Sequence, residues 1–312
     1  MQYVIHTYGP HAHTLKQQIV ATDPDREVVP WADRAAFDAG LGSARVLFAP
    51  YPPRTGWAGA RRLELIQLAG VGVDHFLPSP DLPDHVAIAG MRGAMADDAA
   101  EHAMTMLLAL ARELPSFLDG QRARTWKQRM VPRLAGRRLA IVGLGAIGRA
   151  LARRAMAFDV DVRGVRRTGA PIDGIAVVGL DGLDALLDWC DAVVICAPRT
   201  AETKGLLGAE RIARLRDGTI LVNVSRGGIV DELALLDRIR AGTITAALDV
   251  FEEEPLPPGS LFWNTRGAIV TPHVAGYGVG YMERAVEHLL ANVARLERGE
   301  PLEGLVDREA GY

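Results

Sequence analysis

His273, Arg226 and Glu254 are the side chains best suited to chemistry in this 312-residue sequence. They supply an imidazole that titrates near neutrality, a guanidinium that forks onto a carboxylate, and a carboxylate able to orient and tune the imidazole. They stand in three short segments: Asn223-Val224-Ser225-Arg226-Gly227-Gly228, then Asp249-Val250-Phe251-Glu252-Glu253-Glu254-Pro255, then Thr271-Pro272-His273-Val274-Ala275-Gly276. Each segment follows a short apolar run, which places it at the ligand edge of an open α/β sheet. Taken singly, each has an ordinary reading: Arg226 as a surface ion pair, Glu254 as a solvated charge, His273 as a turn residue. Together they meet the needs of hydride transfer to a carbonyl: an acid/base, a cation for an anionic substrate, and a group that tunes the acid.

The element that must position them lies upstream. Residues 139–148 read Leu-Ala-Ile-Val-Gly-Leu-Gly-Ala-Ile-Gly, an apolar run ending in G-x-G-x-x-G at Gly143, Gly145 and Gly148. Gly143 permits the tight turn. Gly145 lets the backbone approach a pyrophosphate at the N-terminus of a helix opening with Ala146 and Ile147, and Gly148 lets that helix pack on the strand. The strand Leu139 to Val142, the helix Ala146 to Phe158 and the strand Val160 to Val165 form the βαβ context that the fingerprint requires. A carboxylate for the ribose hydroxyls is expected after the second strand, but the sequence there is Arg166-Arg167-Thr168, with no acid until Asp173. Two guanidiniums and a hydroxyl suit a 2′-phosphate, so NADP(H) is expected to be preferred, with NAD(H) possible. The alternative is a basic, solvated loop whose ribose contacts come from the backbone.

The apolar pattern continues with strands at Ala192 to Cys196, Thr219 to Val224, Ile244 to Leu248 and Ala268 to Val270, and helices at Glu210 to Leu215 and Asp231 to Ala241. This is a doubly wound parallel sheet. Ahead of it, runs at Tyr3 to Ile5, Val46 to Ala49, Leu63 to Leu68 and Val86 to Ala89, with a helical stretch Ala32 to Ala39, form an α/β unit of their own. There the segment Ala69-Gly70-Val71-Gly72-Val73-Asp74 leaves a strand end; its N–H groups could hold a carboxylate, or it is a plain strand-to-helix loop. A long helix runs from about Ala96 to Leu114, with Met104 and Met106 as packing residues, and a second amphipathic segment follows through Trp126. The last helix, about Val279 to Arg298, returns to the first unit. The expected organisation is α/β throughout: a Rossmann-type dinucleotide domain over 99–281, and a discontinuous flavodoxin-like substrate domain over 1–98 and 282–312. Closure is expected to hinge near Ala96 to Asp98 and Gly278 to Gly280.

Composition narrows the function. With 49% hydrophobic and 23% charged residues the chain has ample core. A net charge of -3, without a long basic block, argues against nucleic acid or an anionic membrane as partner and for a small molecule. No apolar run reaches the length of a membrane span and no secretory signal opens the chain. The two cysteines, Cys190 and Cys196, read as core thiols of a cytoplasmic protein rather than a disulfide or metal site. No metal is expected.

These segments, with Gly70-Val71-Gly72-Val73-Asp74, Ala100-Glu101-His102 and Cys196-Ala197-Pro198-Arg199-Thr200, resemble the D-isomer-specific 2-hydroxyacid dehydrogenases from about Leu65 to Gly276. The short chain and the Pro-rich stretch after Glu254 are most similar to the bacterial glyoxylate/hydroxypyruvate reductases among them. The resemblance implies that Arg226 binds the substrate carboxylate and carbonyl, His273 is the acid/base and Glu254 holds it; Glu252 and Glu253 would be solvated. It implies that N–H groups at Val71 and Gly72 receive the carboxylate and that Asp249 contacts the nicotinamide carboxamide. It also implies that Cys196, Ala197, Pro198, Val224, Ser225 and Gly276 border the cofactor, and that the chain forms a homodimer through the nucleotide domain. The expected activity is NAD(P)H-dependent reduction of a small 2-oxoacid to a D-2-hydroxyacid. Rival readings are a dinucleotide-sensing regulatory protein without turnover, and a relative that oxidises formate or phosphite.

Overall fold

A computed structural model describes residues 2–167, 169, 171–172 and 174–311. The chain divides into two compact units, residues 1–95 with 279–312, and residues 96–278. Each is an α/β layer structure with an all-parallel sheet.

In the first unit, β1 (Ile5–Tyr8), β2 (Val28–Trp31), β3 (Val46–Ala49), β4 (Leu65–Leu68) and β5 (Ala87–Ala89) lie in the order β2-β1-β3-β4-β5. This is the flavodoxin-like order, with its switch point between β1 and β3. β3 and β4 are buried along their whole length, which is why β3 is an unbroken apolar run and β4 is interrupted only by the buried Gln67. One face packs against α1 (Ala12–Thr22) and the last helix, α9 (Tyr281–Arg298), through Leu15, Ile19, Ala285, Val286, Leu289 and Val293. The other carries an edge-on aromatic chain from Trp31 to Phe37 to Trp57 to Phe76, with centroid spacings of 5.7, 5.1 and 5.8 Å. The helix expected from Ala32 begins later, as α2 (Arg34–Gly40), because Asp33 caps it by accepting from the Ala36 N–H. The first strand likewise starts at Ile5 rather than Tyr3, whose N–H is taken by the Glu297 carboxylate. Sequence reading missed β2, an edge strand holding Pro30, and α1.

The second unit opens with α3 (Ala96–Ala111) and α4 (Leu114–Arg122). The single helix expected to Leu114 is broken by Glu113 at φ 53, and α4 restarts with Pro115 in its first turn. The amphipathic segment stops at Arg122 instead of reaching Trp126, which is 97% exposed. Met104 and Met106 are buried in the core that α3 shares with the sheet and its neighbouring helix. The sheet comprises β6 (Arg138–Val142), β7 (Asp161–Val165), β8 (Ala176–Val178), β9 (Ala192–Ile195), β10 (Ile220–Asn223), β11 (Thr245–Leu248) and β12 (Ala268–Val270), in the order β12-β11-β10-β9-β6-β7-β8. Helices α5 (Ala146–Met156), α6 (Leu183–Trp189), α7 (Ala209–Arg214) and α8 (Glu232–Arg240) connect them. Of these, β8 and α6 were missed in the sequence. The order reverses between β6 and β9, so the ligand crevice opens where the glycine fingerprint leaves β6. Among the described residues no helix is long and apolar enough to cross a membrane, and no cluster of side chains is suited to a metal ion.

Candidate active site

The turn after β6 is built for a close backbone approach. Gly143 has φ +100, and a Cβ there would lie 2.5 Å from the Ala197 nitrogen, so this turn presses directly on the segment Cys196-Ala197-Pro198 that leaves β9. At Gly148 a Cβ would lie 2.1 Å from the Gly143 carbonyl oxygen, so only glycine lets α5 begin so near the turn. Gly145 differs: it is the N-cap of α5, offers no side-chain cap, and a Cβ there would meet nothing within 4 Å. The space beside Gly145 is therefore open at a helix N-terminus, where first-turn N–H groups such as those of Ala146 and Ile147 and the helix dipole suit an anion. After β7, the Arg166 N–H donates to the Val178 carbonyl, while its guanidinium makes no hydrogen bond or ion pair among the described residues. Arg167 beside it is exposed. Thr168 and Asp173 lie outside the described residues.

Three strand ends further along the sheet carry the polar residues. Asn223 is buried; its Oδ1 accepts from the Ser225 N–H (3.1 Å) and its Nδ2 donates to the Arg226 carbonyl (2.9 Å), fixing the turn that presents Arg226 after β10. Val224 and Ser225 are buried within this turn. A Cβ on Gly227 would lie 1.9 Å from the Phe251 carbonyl oxygen, so the Arg226 turn rests against the segment following β11. From that segment it is Glu254 that reaches His273: its Oε1 accepts the Phe251 N–H (2.9 Å) and its Oε2 lies 2.7 Å from His273 Nδ1. Glu252 and Glu253 are exposed.

The electrostatics of this pair follow from its geometry. Burial alone would push Glu254 up, but hydrogen bonds from His273 and the Phe251 N–H, with the nearby charges of His273 and Arg226, overrule it and hold the carboxyl below its ordinary value. An ionised carboxylate only accepts, so His273 Nδ1 carries a proton and Nε2 is the nitrogen left to exchange one. Nε2 makes no hydrogen bond among the described residues, and 41% of the His273 side chain is exposed.

Asp249 is a hub that the sequence does not advertise. Its side chain is buried; Oδ1 accepts from the Thr271 hydroxyl (2.6 Å) and the Val274 N–H (2.9 Å), and Oδ2 from the Ala275 N–H (2.9 Å). Its backbone carbonyl accepts the His273 N–H at 2.7 Å. Asp249 thus clamps residues 273–275, the stretch leading to Gly276. His102 on α3 joins through Thr271, with Nε2 3.0 Å from its Oγ1. The Thr-Pro-His and Ala-Glu-His fragments are the only sequence signals for Thr271 and His102, and neither reveals that they meet.

In the first unit, the loop after β4 has N–H groups at Gly70, Val71 and Gly72 that donate to no acceptor among the described residues, a nest suited to a carboxylate. The Tyr281 hydroxyl holds the Ala69 carbonyl, and the Met91 N–H holds that of Gly70 (3.0 Å), so the loop is fixed where it leaves β4.

Comparison with known proteins places the chain in a family. The model of the D-isomer specific 2-hydroxyacid dehydrogenase NAD-binding domain matches residues 104–275. The chain is similar to D-3-phosphoglycerate dehydrogenase of Mycobacterium leprae, 32% identical over 96% of this chain and 58% of the relative. It is also 30% identical to glyoxylate/hydroxypyruvate reductase A of Serratia proteamaculans, over 84% of this chain and 85% of the relative. The chain spans about half the length of the phosphoglycerate dehydrogenases it matches. Among solved structures, the NADPH-dependent glyoxylate/hydroxypyruvate reductase of Sinorhizobium meliloti, in complex with NADP and sulfate, superposes with a TM-score of 0.89 at 30% identity, over 100% of both chains. The chain accordingly carries a nicotinamide dinucleotide-binding domain and belongs to the D-isomer-specific 2-hydroxyacid dehydrogenase family.

Proposed function

We propose that the protein reduces a small 2-oxoacid of the glyoxylate or hydroxypyruvate type to the D-2-hydroxyacid, with NADP(H) preferred over NAD(H). The observation that carries this reading is the His273–Glu254 pair beside Arg226, at strand ends of a nicotinamide dinucleotide fold. Bound nicotinamide supplies the hydride for C2 of the substrate. His273 Nε2–H delivers the proton to the C2 oxygen, and Glu254, held ionised, keeps the imidazole oriented and stabilises its charged form. The Arg226 fork takes the carboxylate and polarises the carbonyl, while N–H groups at Val71 and Gly72 receive the carboxylate. Gly143, Gly145, Ala146, Ile147 and Gly148 would hold the pyrophosphate. Cys196, Ala197, Pro198, Val224, Ser225 and Gly276 would border the rest of the dinucleotide. Asp249 Oδ2, with a single donor among the described residues, retains acceptor capacity for the carboxamide N–H.

NADP(H) is favoured by the guanidiniums of Arg166 and Arg167, by Thr168, and by the absence of a carboxylate directly after β7. The NADPH dependence printed for the Sinorhizobium meliloti relative supports the same choice. The exposed Phe117, Leu118, Trp126 and Met130 support a homodimer assembled through the nucleotide unit. The two unpaired thiols support a cytoplasmic setting. The test is kcat/KM for a panel of 2-oxoacids with NADPH and NADH, in wild type, His273→Ala, and the Arg166→Ala, Arg167→Ala double variant. The expected outcome is turnover with NADPH preferred, a loss of about 10²- to 10⁴-fold in kcat for His273→Ala, and collapse of the cofactor preference in the double variant. Full activity of His273→Ala refutes the acid/base role, and NADH preference in wild type refutes the cofactor assignment.

A further inference from the structure

His102 has no part in the reaction as described, yet it sits at the end of a chain that reaches His273. Its Nε2 is 3.0 Å from Thr271 Oγ1 and 3.6 Å from Asp249 Oδ1, and its side chain is 22% exposed. Counting hydrogens along this chain fixes its direction. Thr271 has one hydroxyl hydrogen, and the 2.6 Å contact with Asp249 Oδ1 requires it, because a carboxylate only accepts. The hydroxyl oxygen must then accept from His102, so Nε2 carries a hydrogen. Were Nε2 the acceptor instead, the Thr271 hydrogen would point away from Asp249 and two oxygens would face each other at 2.6 Å with nothing between them.

The chain ends on the backbone that presents His273. Asp249 accepts the N–H groups of Val274 and Ala275 through its carboxylate and that of His273 through its carbonyl. His273 itself is held at φ +53, a left-handed conformation in which a non-glycine residue is strained. Such a conformation persists only where the surroundings over-determine it. α3 is a firm base for this chain, with Ala99, Ala103 and Met106 buried to either side of His102.

We propose that His102 is a positioning residue for His273: as an Nε2–H donor it polarises Thr271 and locks the Asp249 carboxylate, which in turn fixes the strained backbone that aims the imidazole. This rests on the reading of His273 as the acid/base. A misplacement of the order of 1 Å at a reacting group costs about 10²-fold in rate, so the effect belongs in kcat rather than in substrate affinity.

The experiment uses the full chain with hydroxypyruvate and NADPH, and compares His102→Phe, His102→Gln, Thr271→Val and Thr271→Ser with His273→Ala as reference, after thermal unfolding and NADPH titration of each. His102→Phe and Thr271→Val are expected to lower kcat about 10- to 100-fold while KM for hydroxypyruvate stays within about 3-fold. The double variant should be little worse than either single one, because both break one chain. Gln, whose amide N–H reaches the same place, and Ser, which keeps the hydroxyl, should restore most of the rate. An isosteric Thr271→Val enzyme with wild-type kcat overturns the inference, as does a loss that Gln and Ser fail to rescue. Should His102→Phe fail to fold, the Val, Ser and Gln variants still decide the matter. Wild-type activity in His273→Ala would instead remove the acid/base reading, and the inference with it.

Discussion

Gly145 and Gly148 are three residues apart in one motif, and the structure gives alanine a different penalty at each. At Gly148 a Cβ would stand 2.1 Å from the Gly143 carbonyl oxygen, a backbone atom that cannot rotate away. That is more than 1 Å short of an ordinary carbon–oxygen contact of about 3.3 Å, so α5 must retreat from β6. Overpacking of this kind costs about 1–3 kcal/mol, and a unit of this size loses about 2–4 °C in Tm per kcal/mol. Gly148→Ala should therefore lower Tm by roughly 2–12 °C. Gly145 has φ -72, which alanine adopts freely, and its Cβ would meet no protein atom. Gly145→Ala should leave Tm near wild type, yet its methyl group would occupy the space proposed for the pyrophosphate. Losing one charge-assisted hydrogen bond costs about 1.5–3 kcal/mol, so Kd for NADPH should rise about 10- to 150-fold. Scanning calorimetry of the free proteins and titration calorimetry with NADPH separate the two effects. Wild-type affinity in Gly145→Ala would refute the placement of the pyrophosphate at this helix end.

Two further outcomes follow from the electrostatics. Because Glu254 is depressed below its ordinary value near 4.5, its contribution to stability is fully present above that pH and is lost as pH falls through the lower folded value. The Tm difference between wild type and Glu254→Gln should thus persist from about pH 8 to 5 and shrink only below about 4.5, and a difference that already vanishes at pH 6 would contradict the pairing. Burial pushes both thiols, Cys190 and Cys196, up to about 12. Folded protein should therefore resist alkylation at pH 8 although Cys196 as a residue is partly exposed, and rapid labelling of the native state would show that the thiol is not buried.

The parts of the fold legible in the sequence were those whose burial is complete. β3, β6, β9 and β10 are covered on both faces and read as apolar runs, with Arg138 opening β6 and Asn223 closing β10, so their ends could be located to within a residue or two. Elements with partial cover hid themselves. β2 is an edge strand whose Pro30 contradicts strand patterning, β8 is short and partly exposed, and α1 buries only Ala12, Leu15 and Ile19 among polar neighbours.

The same division runs through the candidate site. Arg226 and Glu254 were visible because local sequence places them: an Asn side chain turns the chain back at 223–226, and Glu254 binds the N–H of Phe251 in its own segment. The clamp on His273 is not local. Nothing in Thr-Pro-His-Val-Ala announces a left-handed residue, since the position that adopts φ +53 is neither Gly nor Asn, and such a conformation costs about 1–3 kcal/mol unless it is held. What holds it comes from Asp249, on the neighbouring strand end, and through Thr271 from His102, which lies 169 residues before Thr271 in the chain. A sequence can show that a histidine is present at a strand end; the direction of its imidazole is decided by hydrogen bonds whose partners meet only when the sheet has formed and α3 has packed against it.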